Sequence, residues 1–120
     1  MAIFEVWDVV KVPFPYTDRP VRQRRPALVV AAGKIEALHG LLWLVMITSA
    51  ENRGWPGDVG ISDLGAAGLP APSIVRPEKI STADARDAQR LGTLTSADRK
   101  AVAAGLRAIL GAVIEISESE

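Results

Sequence analysis

The stretch VRQRRPALVV, residues 21–30, places Arg22, Arg24 and Arg25 within four positions and follows them with Pro26 and an apolar run. Arg19 stands just upstream. Guanidinium groups stay charged at any working pH, and their planar forks match phosphate oxygens. Two uses are open. Such a cluster can guard a sheet edge against aggregation, which composition alone favours. It can also hold an anion. Thr48 and Ser49 end the most apolar segment of the chain. Hydroxyls there either bond the backbone at a strand end or are delivered by a rigid element to the floor of a groove. Arg76 and Glu78 are two apart on an extended segment, so their side chains are expected on one face. They form either an ion pair, worth little if exposed, or a pair that moves a proton and stabilises charge. Tyr16 and Trp55 fall in loops, where a ring anchors the loop or stacks on a base.

Other chemistries are excluded. The chain has no cysteine, hence no disulfide, thiolate zinc site or cysteine nucleophile. His39 is the only histidine, so a two-histidine ribonuclease mechanism is not available. Asp84 and Asp87 read as carboxylates over a solvated turn, and no group has metal-ligand spacing. No metal and no cofactor are expected. The 14 basic and 14 acidic side chains cancel, so any polyanion must be held by local clustering rather than net charge.

The elements that would position these groups follow from patterning. With 120 residues and 48% hydrophobic content, the chain reads as a single globular domain, 1–120. Segment 6–14 is a valine-rich first strand ended by proline, and 15–24 is a polar loop or hairpin arm. PALVVAA, 26–32, is a second strand closed by Gly33, with Pro26 restricted to a strand's start or an edge. LLWLVMITS, 41–49, reads as a strand buried on both faces, with Trp43 in the core and His39 in the turn before it. A turn-rich loop spans 50–58, a short strand 58–62, and an irregular connection 63–72. Residues 73–81 form a further strand, bent or at an edge because of Pro77.

One helix follows, N-capped by Thr95 or Ser96, with Asp98 in its first turn. Val102, Leu106, Ile109, Leu110 and Val113 repeat on one face, and Gly105 marks either a close approach or nothing. The architecture is mainly β with a C-terminal helix, a small curled barrel. Glu5 and Asp8 stand where a signal peptide needs a basic start and apolar core, and Leu41–Ile47 is too short to span a bilayer. A cytoplasmic chain is expected.

The motifs VVKVPFPYTD, RRPALVV, ITSAE and SIVRPEKI, in this order and continuing through RLGTLTSADRKAV, resemble the MazF/PemK family of type II toxins over essentially the whole length. The resemblance implies an SH3-like barrel of MazF/Kid/CcdB type and a homodimer. It implies sequence-selective, metal-independent cleavage of single-stranded RNA, and a cognate antitoxin. Carried over by position, it makes Arg25 and Thr48 the recurrent active-site groups, and its PemK-like branch adds Arg76 and Glu78. Arg19, Arg22, Arg24, Ser49, Trp55 and Tyr16 are then RNA-binding candidates. Two positions depart from the pattern. Pro20 stands where some members carry a glutamate. Trp7 replaces a glycine often found there and is expected to narrow or reshape the mouth of the site.

On this reading RNA supplies its own nucleophile, the 2′-hydroxyl. Arg25 stabilises charge on the phosphoryl oxygens, Thr48 orients the phosphate or the hydroxyl, and Glu78 is the candidate base with Arg76 as its partner. Two rivals use no catalysis: a CcdB-like gyrase poison, which the joint presence of Arg25 and Thr48 argues against, and a plain SH3-like binding module.

Overall fold

A computed structural model describes residues 3–13, 23–52 and 54–115. Among the described residues, six antiparallel strands form one curved sheet: β1 (Asp8–Pro13), β2 (Arg24–Ala31), β3 (Leu41–Ser49), β4 (Val59–Gly60), β5 (Ser73–Asp84) and β6 (Gln89–Thr93). Their spatial order is β4-β5-β3-β2-β1-β6, an open half-barrel. Among the described residues, three α-helices decorate it: α1 (Lys34–His39), α2 (Leu64–Ala67) and α3 (Ser96–Glu115).

The apolar runs are explained by two cores, one on each face of the sheet. Val9, Leu28, Val45 and Ile47 face one core, which Val75, Leu94 and Val102 of α3 complete. Their neighbours Val10, Val12, Ala27, Val29, Leu44 and Met46 face the second. Alternate residues of β1, β2 and β3 thus bury on opposite sides, as a strand's period of two requires. Trp43 is an exception to the expected burial. It is 46% exposed, because only the rungs on either side of it are covered.

Three elements were not expected from the sequence: α1, β6, and α2 within the stretch read as an irregular connection. α1 ends at His39, and Gly40 closes it in the left-handed conformation at φ 67°, with its N–H donating to the Glu36 carbonyl. The buried Glu36 carboxylate accepts the N–H groups of Ile3 and Phe4, both at 3.0 Å, and so ties the N-terminal segment down. β6 extends the sheet beyond β1. It carries Gly92, where a Cβ would lie 2.2 Å from the Ala66 carbonyl oxygen.

β5 is interrupted. Arg76 pairs with Met46 and Ile80 with Val45, so Pro77, Glu78 and Lys79 bulge out opposite adjacent residues of β3. The bend expected at Pro77 is this bulge. Pro77 in turn meets α3 at Gly105, where a Cβ would sit 3.4 Å from the proline ring, so that glycine marks a close approach. At the start of α3 the Thr95 carbonyl accepts from Asp98 and Arg99. The buried Asp98 carboxylate accepts from the N–H and hydroxyl of Ser62. Of the expected apolar face, Val102 is fully buried and Leu106 partly so, whereas Ile109, Leu110 and Val113 are exposed.

The α2–β6 contact shapes the approach to the candidate site, because the chain leaving α2 walls the cleft described below. Gly92→Ala forces a methyl into the α2 backbone and should lower stability by roughly 1–3 kcal/mol. Urea unfolding measures this; an unchanged midpoint would mean that α2 does not pack on β6 as closely as stated.

Candidate functional site

Strand register gathers the polar groups. Arg25 pairs with Val12 across β1–β2, and Ala27 pairs with Met46 across β2–β3. Carried two residues further, that register sets Arg25 across from Thr48. Met46 pairs with Arg76 and Thr48 with Ile74, so Arg25, Thr48 and Arg76 belong to the same face of the sheet. That face also carries the second core. The sequence places hydrophilic groups at the ends of strands whose middles are apolar, and the ends open to solvent.

Arg25 is half-buried. Its Nη2 donates to Gln23 Oε1 at 2.7 Å, while its Nε is buried without a hydrogen-bond partner. A buried donor left unpaired is costly, and a charged one more so. Pro26, immediately after, holds the strand start. Thr48, also half-buried, accepts at Oγ1 a hydrogen bond of 3.0 Å from Asn52 Nδ2. Ser49 is exposed, and its Oγ accepts from the Glu51 N–H.

Arg24 points the other way. Its Nη1 donates to the Asp87 carbonyl and its Nη2 to the Lys11 carbonyl, both at 3.2 Å. It ties β2 to β1 and to the turn before β6, yet no carboxylate neutralises it in these bonds. Arg24, Pro26, Ile47 and Ser49 border a cleft of about 350 Å³ walled by residues 68–73, and Arg25 and Thr48 reach its rim.

Arg76 is a different kind of arginine. Only 7% exposed, it donates from Nε and Nη2 to the two oxygens of Asp58, each at 2.9 Å, and from Nη2 to the Asn52 carbonyl at 2.9 Å. The Trp55 ring lies 4.4 Å from its guanidinium carbon, in cation–π range. Asp58 also accepts the N–H groups of Gly54 and Trp55. The Arg76 hydrogen bonds, followed by those backbone donors, hold the Asp58 carboxyl below its ordinary value against the opposing effect of burial. Asp58 reciprocally raises Arg76.

The expected Arg76–Glu78 pair is therefore corrected: the carboxylate bound to Arg76 is Asp58. Period-two alternation fails across the bulge. Glu78 is exposed, and its carboxylate lies beside Gly57, within 3.5 Å of where a Cβ there would stand. Both Arg76 and Glu78 still face the 54–58 loop. The structure thus groups Arg25 with Thr48, and Arg76 with Trp55 and Glu78, with Asn52 touching both groups. Tyr16, Arg19, Pro20 and Arg22 lie outside the described residues. Trp7 adopts φ 82°, the conformation that favours glycine. Trp7 lines an apolar groove with Leu106 and Leu110 of α3 and does not line the cleft, so the structure does not place it at the mouth it was expected to narrow or reshape. Among the described residues no group of three His, Asp or Glu side chains is placed to hold a metal ion, and no helix is long and apolar enough to cross a membrane.

Asn52, Asp58 and Gln23 are participants that sequence reasoning missed. Asp58 lies 18 residues from Arg76, and nothing local in the W-P-G-D turn indicates its partner.

Comparison with known proteins bears on the family and the fold. The family model for PemK-like, MazF-like toxins of type II toxin–antitoxin systems matches residues 5–110. No significant match is found among curated protein sequences. Among solved structures, a MazE–MazF complex from Deinococcus radiodurans matches with TM-score 0.70 and 23% identity, over 91% of this chain and 96% of that one. The Mycobacterium tuberculosis toxin MazF-mt6 gives TM-score 0.67 and 18% identity over 87% and 96%. An endoribonuclease in complex with its cognate antitoxin, from a mycobacterial species, gives 0.68 and 19% over 88% and 93%. At these identities the likeness shows the fold.

The Asp58–Arg76 pair has a defined pH signature. Because the Asp58 carboxyl is lowered in the folded state, the pair's contribution is present above the ordinary carboxylate value and is lost as pH falls through the lowered one. In Trp7→Phe/Trp43→Phe protein, Trp55 fluorescence should hold steady from neutral pH to about 4 and change only below that. A transition centred at about pH 5–6 would contradict the pairing.

Proposed function

The chain belongs to the PemK-like, MazF-like toxin family of type II toxin–antitoxin systems, and we propose that it is a sequence-selective, metal-independent endoribonuclease acting on single-stranded RNA. The observation that carries this reading is the unpaired, buried Nε of Arg25 on the same sheet face as the Thr48 hydroxyl. An arginine held at a strand start by a following proline meets an anion with little reorganisation, and a phosphate supplies the acceptor it lacks.

The reaction is transesterification. The 2′-oxygen attacks the adjacent phosphorus and loses its proton, the P–O5′ bond breaks, and O5′ takes up a proton as it leaves. The products are a 2′,3′-cyclic phosphate and a 5′-hydroxyl. Arg25 stabilises the charge that builds on the phosphoryl oxygens, and one such preorganised donor contributes roughly 3–4 kcal/mol. Thr48 orients the phosphate by hydrogen bonding. Glu78 is the candidate general base; its exposure lets substrate reach the carboxylate. Arg76, whose Nε and Nη2 are taken up by Asp58 and Asn52, supports the loop rather than touching phosphate. Trp55, 42% exposed, presents a ring for a base. Arg24 and Ser49 border the groove, and Tyr16, Arg19 and Arg22 belong to the RNA-binding set on sequence grounds.

A homodimer is part of the reading, as is a cognate antitoxin. The antitoxin complexes of the two similar proteins support the latter.

Purified protein with EDTA should cut defined RNA, leaving a 2′,3′-cyclic phosphate. A single 2′-deoxy substitution 5′ of the scissile phosphate should block cleavage but not binding. Arg25→Ala should lower the single-turnover rate by roughly 10²–10³-fold with the fold intact. Cleavage of the deoxy strand at the same phosphate would remove the transesterification mechanism, and a strict need for magnesium would remove metal independence. A folded protein that arrests growth while cutting no RNA would favour the gyrase-poison alternative.

Glu78→Gln keeps shape and removes the carboxylate. If Glu78 is the base, the same rate should fall by roughly 10²–10⁴-fold; a change below about threefold would return it to a structural role.

A further inference from the structure

A threonine hydroxyl offers one proton and two lone pairs, so the neighbour that occupies a lone pair also decides where the proton points. Thr48 Oγ1 receives a hydrogen bond from Asn52 Nδ2 at 3.0 Å. An amide nitrogen only donates. The hydroxyl proton must then turn away from Asn52 and toward another acceptor. We infer that Asn52 is a positioning residue that fixes Thr48 as a hydrogen-bond donor to the scissile phosphate. The inference rests on the endoribonuclease reading above.

Asn52 is itself held. It ends the single helical turn Ala50–Asn52 that follows β3, and the first residue of that turn is anchored by the Ala50 N–H donating to the Pro72 carbonyl at 3.0 Å. Its own carbonyl accepts from Arg76 Nη2 at 2.9 Å. Arg76 is locked by both oxygens of Asp58, and Asp58 gathers the N–H groups of Gly54 and Trp55. A continuous chain of hydrogen bonds therefore runs from the buried ion pair through Asn52 to the Thr48 hydroxyl. The same guanidinium carries the Trp55 ring. On this reading Arg76 and Asp58 act on the phosphate through Asn52.

Substitution at Asn52 separates this role from a merely structural one. Asn52→Ala deletes the donor and should lower kcat by roughly 2–10-fold with KM little changed, the size expected for one neutral hydrogen bond. Asn52→Asp keeps the shape but offers only acceptors, so it captures the hydroxyl proton and adds negative charge beside the phosphate. It should lose more, on the order of 10²-fold. In a Thr48→Val background, Asn52→Ala should have no further effect on the residual rate. In the uncomplexed protein, Thr48→Val should move the Asn52 side-chain amide resonances in a ¹⁵N–¹H correlation spectrum, a readout that needs no activity.

Wild-type kcat in Asn52→Asp would overturn the inference, because it would mean that the amide presents its oxygen to Thr48. Additive loss in the Thr48→Val background, or an unmoved Asn52 amide, would overturn it as well. These outcomes leave the enzyme reading standing provided the wild type cuts RNA and Thr48→Val cuts it far more slowly. A wild type that cuts no RNA would overturn both.

Discussion

Removing a guanidinium from water is expensive unless its donors meet acceptors, and the cost grows when its charge is left unmatched. Arg76 meets that requirement. Two oxygens of Asp58, the Asn52 carbonyl and the face of Trp55 surround it. These contacts, drawn from Asn52, Trp55 and Asp58, hold the segment after β3 against Arg76. The end of β3 is held with that segment, and so is the Thr48 hydroxyl. Arg25, three strands' width of sheet away from the β4 edge, shows the opposite condition. It is half-buried, and among the described residues it has one bond, to Gln23, and an Nε without a partner. Of two arginines on one sheet face, the first is satisfied by the protein and the second is left for something else.

The bulge in β5 lets one strand serve both purposes. Up to Arg76 the strand is in register with the site end of β3; from Ile80 it is in register with the far end. Between them Pro77 turns its ring to α3 at Gly105 and Glu78 emerges beside Gly57. Helix packing is thereby coupled to the loop that carries Trp55. Proline is suited to such a place because it has no N–H to lose from a ladder, and its neighbours need not alternate. The glycine in the helix stands where a Cβ would touch the proline ring at 3.4 Å.

Much of this architecture is legible from residues alone. Valine-rich and apolar runs mark β1, β2 and β3, and spaced apolar residues mark α3, because burial imposes those periods. Arg25 and Thr48 are visible as polar residues attached to the ends of such runs. Other features leave no local trace. A six-residue helix such as α1 is too short to show a period. β6 hides behind Gly92, which is there for the neighbour rather than the strand. Trp43 was expected inside because an apolar run does not say which of its rungs lacks a cover. The Arg76–Glu78 pairing fails because a bulge breaks the alternation on which it depended. Asp58 and Asn52 reach their partners through tertiary structure, so a single sequence does not reveal them.

The central claim is that Arg25 keeps a buried donor in readiness for a phosphate, and its own Nε–H reports on this directly. In a ¹⁵N–¹H spectrum of the arginine side chains, titration with an uncleavable oligonucleotide, 2′-deoxy at the scissile position, should shift the Arg25 Hε resonance downfield and slow its exchange with water. The Arg76 resonance, already bonded to Asp58, should stay nearly fixed. An Arg25 signal that does not move when the oligonucleotide is bound, or that moves less than that of Arg76, would contradict the account.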